Sequence, residues 1–329
     1  MASSRRLGKI LLGLAVSAAL LIYFFWDVDL RVIAARLRET LWTYMVLSVA
    51  LGFLSLWMRA VRWYYLFPPD AHPSHLFRAL LIGYMGNNLL PLRAGELVRV
   101  YVVTRRGQHF GTTFATVVVE RVLDGLAVGL IVAGLLLVVP LPANLGWPIL
   151  LFLLVDLVGI LILVAIAAAP GACRVLIEML FRRVAWLEGR LNGLLDIMIE
   201  GLRGLRATGH TGPIAAYSVG IWLFLALSFW SALHAAHLDL PLAAAWTLLA
   251  FLGLGVSLPS SPGFVGVVQA ATVLALALFA VPRTEALSFS LLLHASQFFP
   301  ITIVGLLCLL LEHVSLADAT RGAVAPSER

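Results

Sequence analysis

Long apolar runs separated by short polar punctuation set the pattern of this chain. Mostly apolar runs cover about 7–26, 41–67, 113–139, 147–169, 213–236 and 286–311. Each approaches or exceeds the roughly 20 apolar residues that a helix needs to cross a bilayer. Pro68-Pro69 closes the second run, because proline cannot continue a helix. Two further apolar stretches, 76–103 and 242–281, are broken in the middle. The first break reads Asn87-Asn88-Leu89-Leu90-Pro91-Leu92-Arg93-Ala94-Gly95-Glu96, the second Ser257-Leu258-Pro259-Ser260-Ser261-Pro262-Gly263. Each half is too short to span, and irregular backbone at membrane depth survives only where protein or water satisfies it. Both stretches therefore predict re-entrant hairpins or broken helices. Residues 174–206 form the substantial polar stretch, with charges at helical spacing among leucines, which predicts an amphipathic helix on the membrane surface.

The pattern predicts an all-α, polytopic helical membrane protein with about six full spans and two broken hairpins. It reads as one integral membrane domain over 1–329. N-terminal helices over 7–169 carry the first hairpin (76–103), and a cytoplasmic amphipathic segment covers 170–210. C-terminal helices over 211–312 carry the second hairpin (242–281), and a cytoplasmic tail covers 313–329. The run 41–67, first hairpin and run 113–139 form a unit whose hairpin enters from one side. The run 213–236, second hairpin and run 286–311 repeat that plan upside down, as in inverted-repeat transporters.

Composition agrees. The chain is 61% hydrophobic and 12% charged, against roughly 45–50% and 25% in a soluble domain. So much apolar surface does not fit inside one water-soluble core. The net charge of +6 is the loop bias of a membrane protein, since no basic patch is interleaved with stacking aromatics; nucleic acid is not an expected partner. Arg105, Arg106, Arg174, Arg182, Arg183, Arg190, Arg203 and Arg206 fall on the side of Arg5, Arg6 and Lys9, against Arg31, Arg36, Arg38 and Arg283 on the other. That asymmetry predicts an inner-membrane protein with both termini cytoplasmic. The first run ends in Tyr23-Phe24-Phe25-Trp26, an aromatic belt in place of a small-residue cleavage site, so it predicts a retained helix. Cys173 and Cys308 lack metal-ligand spacing, and no metal or cofactor is expected.

Ionisable groups inside hydrocarbon are costly and tend to mark function. The first cluster is Asn87, Asn88, Pro91, Arg93, Gly95, Glu96 and Arg99. Pro91 and Gly95 free the backbone, the asparagines can satisfy it or hold a ligand, and Arg93 and Arg99 suit a phosphate through forked hydrogen bonds. The alternative is a tight loop with a local Glu96–Arg99 pair. Glu120, Arg121 and Asp124 share one helical sector, either as a site or as a charged interfacial collar. Arg59 and Arg62 complete a basic pocket or snorkel to the interface. A third cluster, Ser260, Ser261, Pro262, Gly263, Gly266 and Gln269, offers backbone amides ahead of a half-helix, or is a simple turn. Asp156, alone in 147–169, is a proton carrier or a hydrogen-bond acceptor within the bundle. His234, His294 and Gln297 are expected to join helices.

No nucleophile motif, zinc motif or P-loop occurs, so no enzyme is expected. At Asn87-Asn88-Leu-Leu-Pro91-Leu-Arg93-Ala-Gly95-Glu96-Leu-Val-Arg99, Glu120-Arg121-Val-Leu-Asp124 and Pro259-Ser-Ser-Pro262-Gly263-Phe-Val-Gly266, the chain resembles the lysylphosphatidylglycerol synthase transmembrane family of flippase-like proteins. The resemblance covers essentially the whole chain. Phe264 and Gln269 stand where that family often has a second glycine and a glutamate. It implies a membrane domain that moves lipid between leaflets; the soluble aminoacyl-transferase domain of the fused synthases has no counterpart in these residues. The leading expectation is a flippase for a phospholipid, glycolipid or polyprenyl-phosphate lipid, whose head group passes between the two hairpins. Arg93, Arg99 and Arg121 would hold phosphate, and Glu96, Glu120 and Asp124 would balance charge or couple to protons. The other expectation is a non-catalytic scaffold for an enzyme that builds envelope lipid or polymer.

Overall fold

The computed structural model describes residues 35, 38–68, 71, 73–90, 93–139, 146–207, 209–257 and 262–312. The predicted first span (7–26), the tail (313–329), Pro91, Ser260 and Ser261 lie outside them. The described chain is all-helical: α1 Trp42–Tyr65, α2 Leu76–Leu89, α3 Gly95–Thr104, α4 Phe110–Leu135, α5 Gly146–Ala168, α6 Pro170–Phe181, α7 Ala185–Ala207, α8 Thr211–Ala235, α9 Leu242–Ser257, a 3-10 turn Pro262–Phe264, α10 Val267–Ala277 and α11 Arg283–Leu311.

Among the described residues α1, α8 and α11 are long and apolar enough to cross a membrane. They fall on the predicted runs 41–67, 213–236 and 286–311, with ends shifted by small amounts, as helix termini do. The run 113–139 becomes α4, whose 26 residues reach about 39 Å at 1.5 Å per residue, but whose first half carries Glu120, Arg121 and Asp124. The run 147–169 becomes α5, and the chain bends by 114° into α6 around Ala169-Pro170. The segment predicted as one surface helix is two, α6 and α7, with α7 packed on α4.

Two antiparallel helices, α1 and α8, form the central pair, and their seam is polar where backbones come close. Ser48 and Ser228 hydroxyls lie 3.2 Å apart, Ser55 donates to the Ile221 carbonyl at 2.8 Å, and Ser231 donates to the Tyr44 carbonyl at 2.8 Å. Hydrocarbon supplies no hydrophobic drive between helices, so small residues and interhelical hydrogen bonds do that work.

In the first hairpin α2 and α3 touch backbone to backbone. A Cβ on Gly95 would sit 1.9 Å from the Gly83 carbonyl oxygen, and one on Gly86 would sit 2.8 Å from the Gly95 Cα. On the other side of α2, a Cβ on Gly305 of α11 would lie 2.7 Å from the Leu81 carbonyl oxygen. Both outer ends of the hairpin reach one residue. Arg78, in the first turn of α2, and Arg106, just past α3, pair with Glu312 at 3.5 and 2.5 Å. The hairpin therefore enters and leaves on one face.

The second hairpin enters from the opposite face. The α8 terminus and the α11 start come together there, where His237, Leu238, Glu285, Ser288 and Phe289 line one shallow depression. α9 departs from that end and α10 returns to it, closing through the Val281 N–H on the Leu276 carbonyl. The tips meet inside. A Cβ on Gly263 would lie 3.2 Å from the Asn88 carbonyl oxygen, and Arg93 donates to the Val256 carbonyl at the end of α9.

Candidate functional site

Three helices place charged side chains at one point. α1 gives Arg59 and Arg62, α3 gives Glu96 and Arg99, and α4 gives Glu120, Arg121 and Asp124. The i,i+3 and i,i+4 spacings put each set on one helical face. Asp124 sits between two arginines of α1: it accepts from Arg59 and, at 2.8 Å, from Arg62. Glu120 lies 3.5 Å from Arg59, 3.2 Å from Arg99 and 3.1 Å from Arg121. Glu96 pairs with Arg99 at 2.6 Å and with Arg121 at 3.4 Å. The result is an alternating lattice across three helices that are distant in sequence.

The lattice is deeply desolvated. The side chains of Arg62 and Glu120 are 0% exposed and that of Arg99 is 2% exposed, whereas that of Arg121 is 39% exposed. Four guanidiniums (59, 62, 99, 121) face three carboxylates (96, 120, 124), leaving a formal surplus of one positive charge. Arg93 adds a second cation from the hairpin tip, its guanidinium 5.7 Å from the Phe264 ring centroid. Arg93 has φ 55°, a left-handed conformation for a non-glycine residue. The Nε atoms of Arg62, Arg99 and Arg121 are buried without a hydrogen-bond acceptor. Buried donors of this kind are costly.

The other predicted residues divide. Asn87 joins the lattice, donating to Glu96 at 3.2 Å, whereas Asn88 turns to α11 and donates to the Thr302 hydroxyl at 2.9 Å. Gly95 is required by the α2–α3 crossing. Gln269 is 2% exposed and receives the Gly266 N–H at 2.7 Å, capping α10 inside the second hairpin. Pro262 and Gly263 form the turn facing Asn88. Asp156 lies on α5, and its side chain is outside the described residues. The local Glu96–Arg99 pair is present as part of the larger lattice.

Several contributors were not singled out in the sequence. The Trp63 ring lies 4.8 Å from the Arg99 guanidinium, and its indole N–H donates to Thr116 at 2.9 Å. Ser218 of α8 accepts from Arg62 at 3.1 Å. Glu312 holds both ends of the first hairpin. No local pattern marks these residues, because each partner is far away along the chain.

The family model described as lysylphosphatidylglycerol synthase TM region matches residues 10–305. Comparison with curated proteins and with solved structures finds no match.

Proposed function

Because the chain belongs to the lysylphosphatidylglycerol synthase TM region family, and so to membrane proteins related to lipid handling, we propose that it moves an anionic phospho- or glycolipid head group between leaflets. The head group would contact Arg121 and Arg93 where the two hairpin tips meet, while the acyl or prenyl tails stay in the bilayer. What supports this reading is the surplus of positive charge at that junction, with one guanidinium of the lattice left 39% exposed. Arg62, Arg99 and Glu120 would act from beneath, fixing the position of Arg121 and Asp124. The lipid crosses unchanged, so the protein is a transporter and not an enzyme. The proposed setting is an inner membrane with both termini cytoplasmic, which puts Arg78, Arg106 and Glu312 on the cytoplasmic side.

The test is transbilayer movement of fluorescent phospholipids and polyprenyl-phosphate lipids in proteoliposomes. Losing one charge-assisted hydrogen bond costs about 1.5–3 kcal/mol, so Arg121→Gln should slow transfer by about tenfold or more. Arg93→Ala combined with Arg121→Gln should abolish it. Equal rates in wild type and the double variant would refute the site. If no lipid moves with wild type, the scaffold reading takes over, and an envelope-synthesis enzyme should co-purify in stoichiometric amount.

A further inference from the structure

The second hairpin contains a hydrogen-bond relay whose direction is fixed at both ends. The His294 Nε2 atom lies 2.8 Å from the Gly263 carbonyl oxygen, which accepts, so Nε2 carries the hydrogen. At the other end the Gly266 N–H, which donates, lies 2.7 Å from Gln269 Oε1. That orientation turns the Gln269 amide NH2 towards His294 Nδ1 at 3.1 Å, so Nδ1 holds its lone pair. Neutral His294 in this one tautomer satisfies every link.

A proton on Nδ1 does not fit the relay. It would bring two donors, imidazolium N–H and amide NH2, face to face. Flipping the Gln269 amide relieves that contact but turns NH2 against the Gly266 N–H, again donor against donor. One link must open in either orientation. What the relay holds is a left-handed turn, relaxed at Gly263 (φ 70°) and Gly266 (φ 85°) but strained at Phe264 (φ 58°). This turn touches the first hairpin, through Gly263 against the Asn88 carbonyl and through the Phe264 ring under Arg93.

We propose that His294 is a proton-binding site that controls the contact between the two hairpin tips. With His294 neutral the turn is clamped against Asn88 and Arg93; with His294 protonated the Gly266 cap or the Gln269 link opens and the tips separate. Among the described residues His294 has no ion pair, and its ring also meets Phe298 of its own helix edge to face. The relay polarity therefore sets the response. The charge brought to this turn by the first hairpin is Arg93. On the transport reading such a site would couple protons to lipid movement, yet the switch itself requires no lipid.

The experiment uses the purified full chain in lipid nanodiscs. Histidine ¹⁵N spectra would follow His294, assigned with His294→Phe, between about pH 8 and 5. Hydrogen exchange of the segment 262–269 would be read in parallel. Protonation of His294 is expected to raise that exchange about tenfold beyond its intrinsic pH dependence, and His294→Phe should remove the step. Gln269→Glu is the sharper variant. A carboxylate accepts from both the Gly266 N–H and a protonated Nδ1, so it should favour protonated His294 and keep the segment protected. Three results would overturn the proposal: His294 titrating with no change in exchange, the same step in Gln269→Glu, or His294 staying neutral throughout. Because no lipid is assayed, each of these leaves the transport reading standing on its own test.

Discussion

Asp124→Asn keeps the shape of the side chain and removes its charge. In the lattice that carboxylate is the acceptor shared by Arg59 and Arg62, and the Arg62 side chain is 0% exposed. At 2.8 Å and an effective dielectric of about 20, one such pair carries about 6 kcal/mol of Coulomb attraction, most of which offsets desolvation. Breaking a buried pair by removing one partner costs about 3–5 kcal/mol, since the abandoned charge stays out of water. Glu120 softens the loss at Arg59, 3.5 Å away, but among the described residues Arg62 pairs with no second carboxylate. At about 2–4 °C per kcal/mol the midpoint should fall by roughly 10 °C. The assay is thermal unfolding of the detergent-purified protein. Arg121→Gln is the comparison: Glu96, Glu120 and Asp124 each keep another arginine without it, so it should cost less than Asp124→Asn, which leaves Arg62 unpaired. Melting of Asp124→Asn with wild type, or equal destabilisation by the two variants, would refute the desolvated lattice.

Other measurements probe the frame around it. Gly95→Ala should be strongly destabilising, beyond the about 1–3 kcal/mol of ordinary overpacking, because its Cβ would meet backbone at 1.9 Å; loss of folded yield and a lowered unfolding midpoint report it. In a background lacking Cys173, Ser74→Cys and Gly107→Cys should react with a membrane-impermeant thiol reagent from one side, and Asp239→Cys and Pro282→Cys from the other; labelling of the first pair from opposite sides would sink the re-entrant geometry. Glu312→Gln should cost less than Asp124→Asn: the Glu312 side chain is 3% exposed, but those of the arginines it would abandon, Arg78 and Arg106, are 40% and 38% exposed. It should nonetheless raise hydrogen exchange across 104–109, and unchanged exchange there would show that the clamp does not hold the hairpin.

Class and element order were legible in the sequence because they rest on local quantities. Run length against bilayer thickness identified α1, α8 and α11, and Pro and Gly within 87–96 and 257–263 marked both breaks. The charged positions were legible too, since an ionisable residue in an apolar run stands out by itself. Their roles were not. Arg59 and Arg62 read as residues able to snorkel, but they are locked on Asp124, more than 60 positions away, by the packing of α1 against α4. Gln269 read as part of a candidate anion site or of a simple turn; the structure shows it capping α10 through the Gly266 N–H and meeting His294 of α11, a long-range contact that no local pattern records.

The sequence by itself determined an all-helical membrane protein with two interrupted hairpins and an excess of arginine at the first. Hydropathy and backbone hydrogen bonding depend on neighbours along the chain, and one sequence is enough to apply them. Tertiary structure alone decided that the hairpin tips touch at Asn88, Arg93, Gly263 and Phe264, and that Arg121 is the most exposed member of the lattice. Those facts follow from which helices approach closely enough for a glycine to be required or a carboxylate to be shared. Such contacts join residues far apart in sequence, where no local pattern records them.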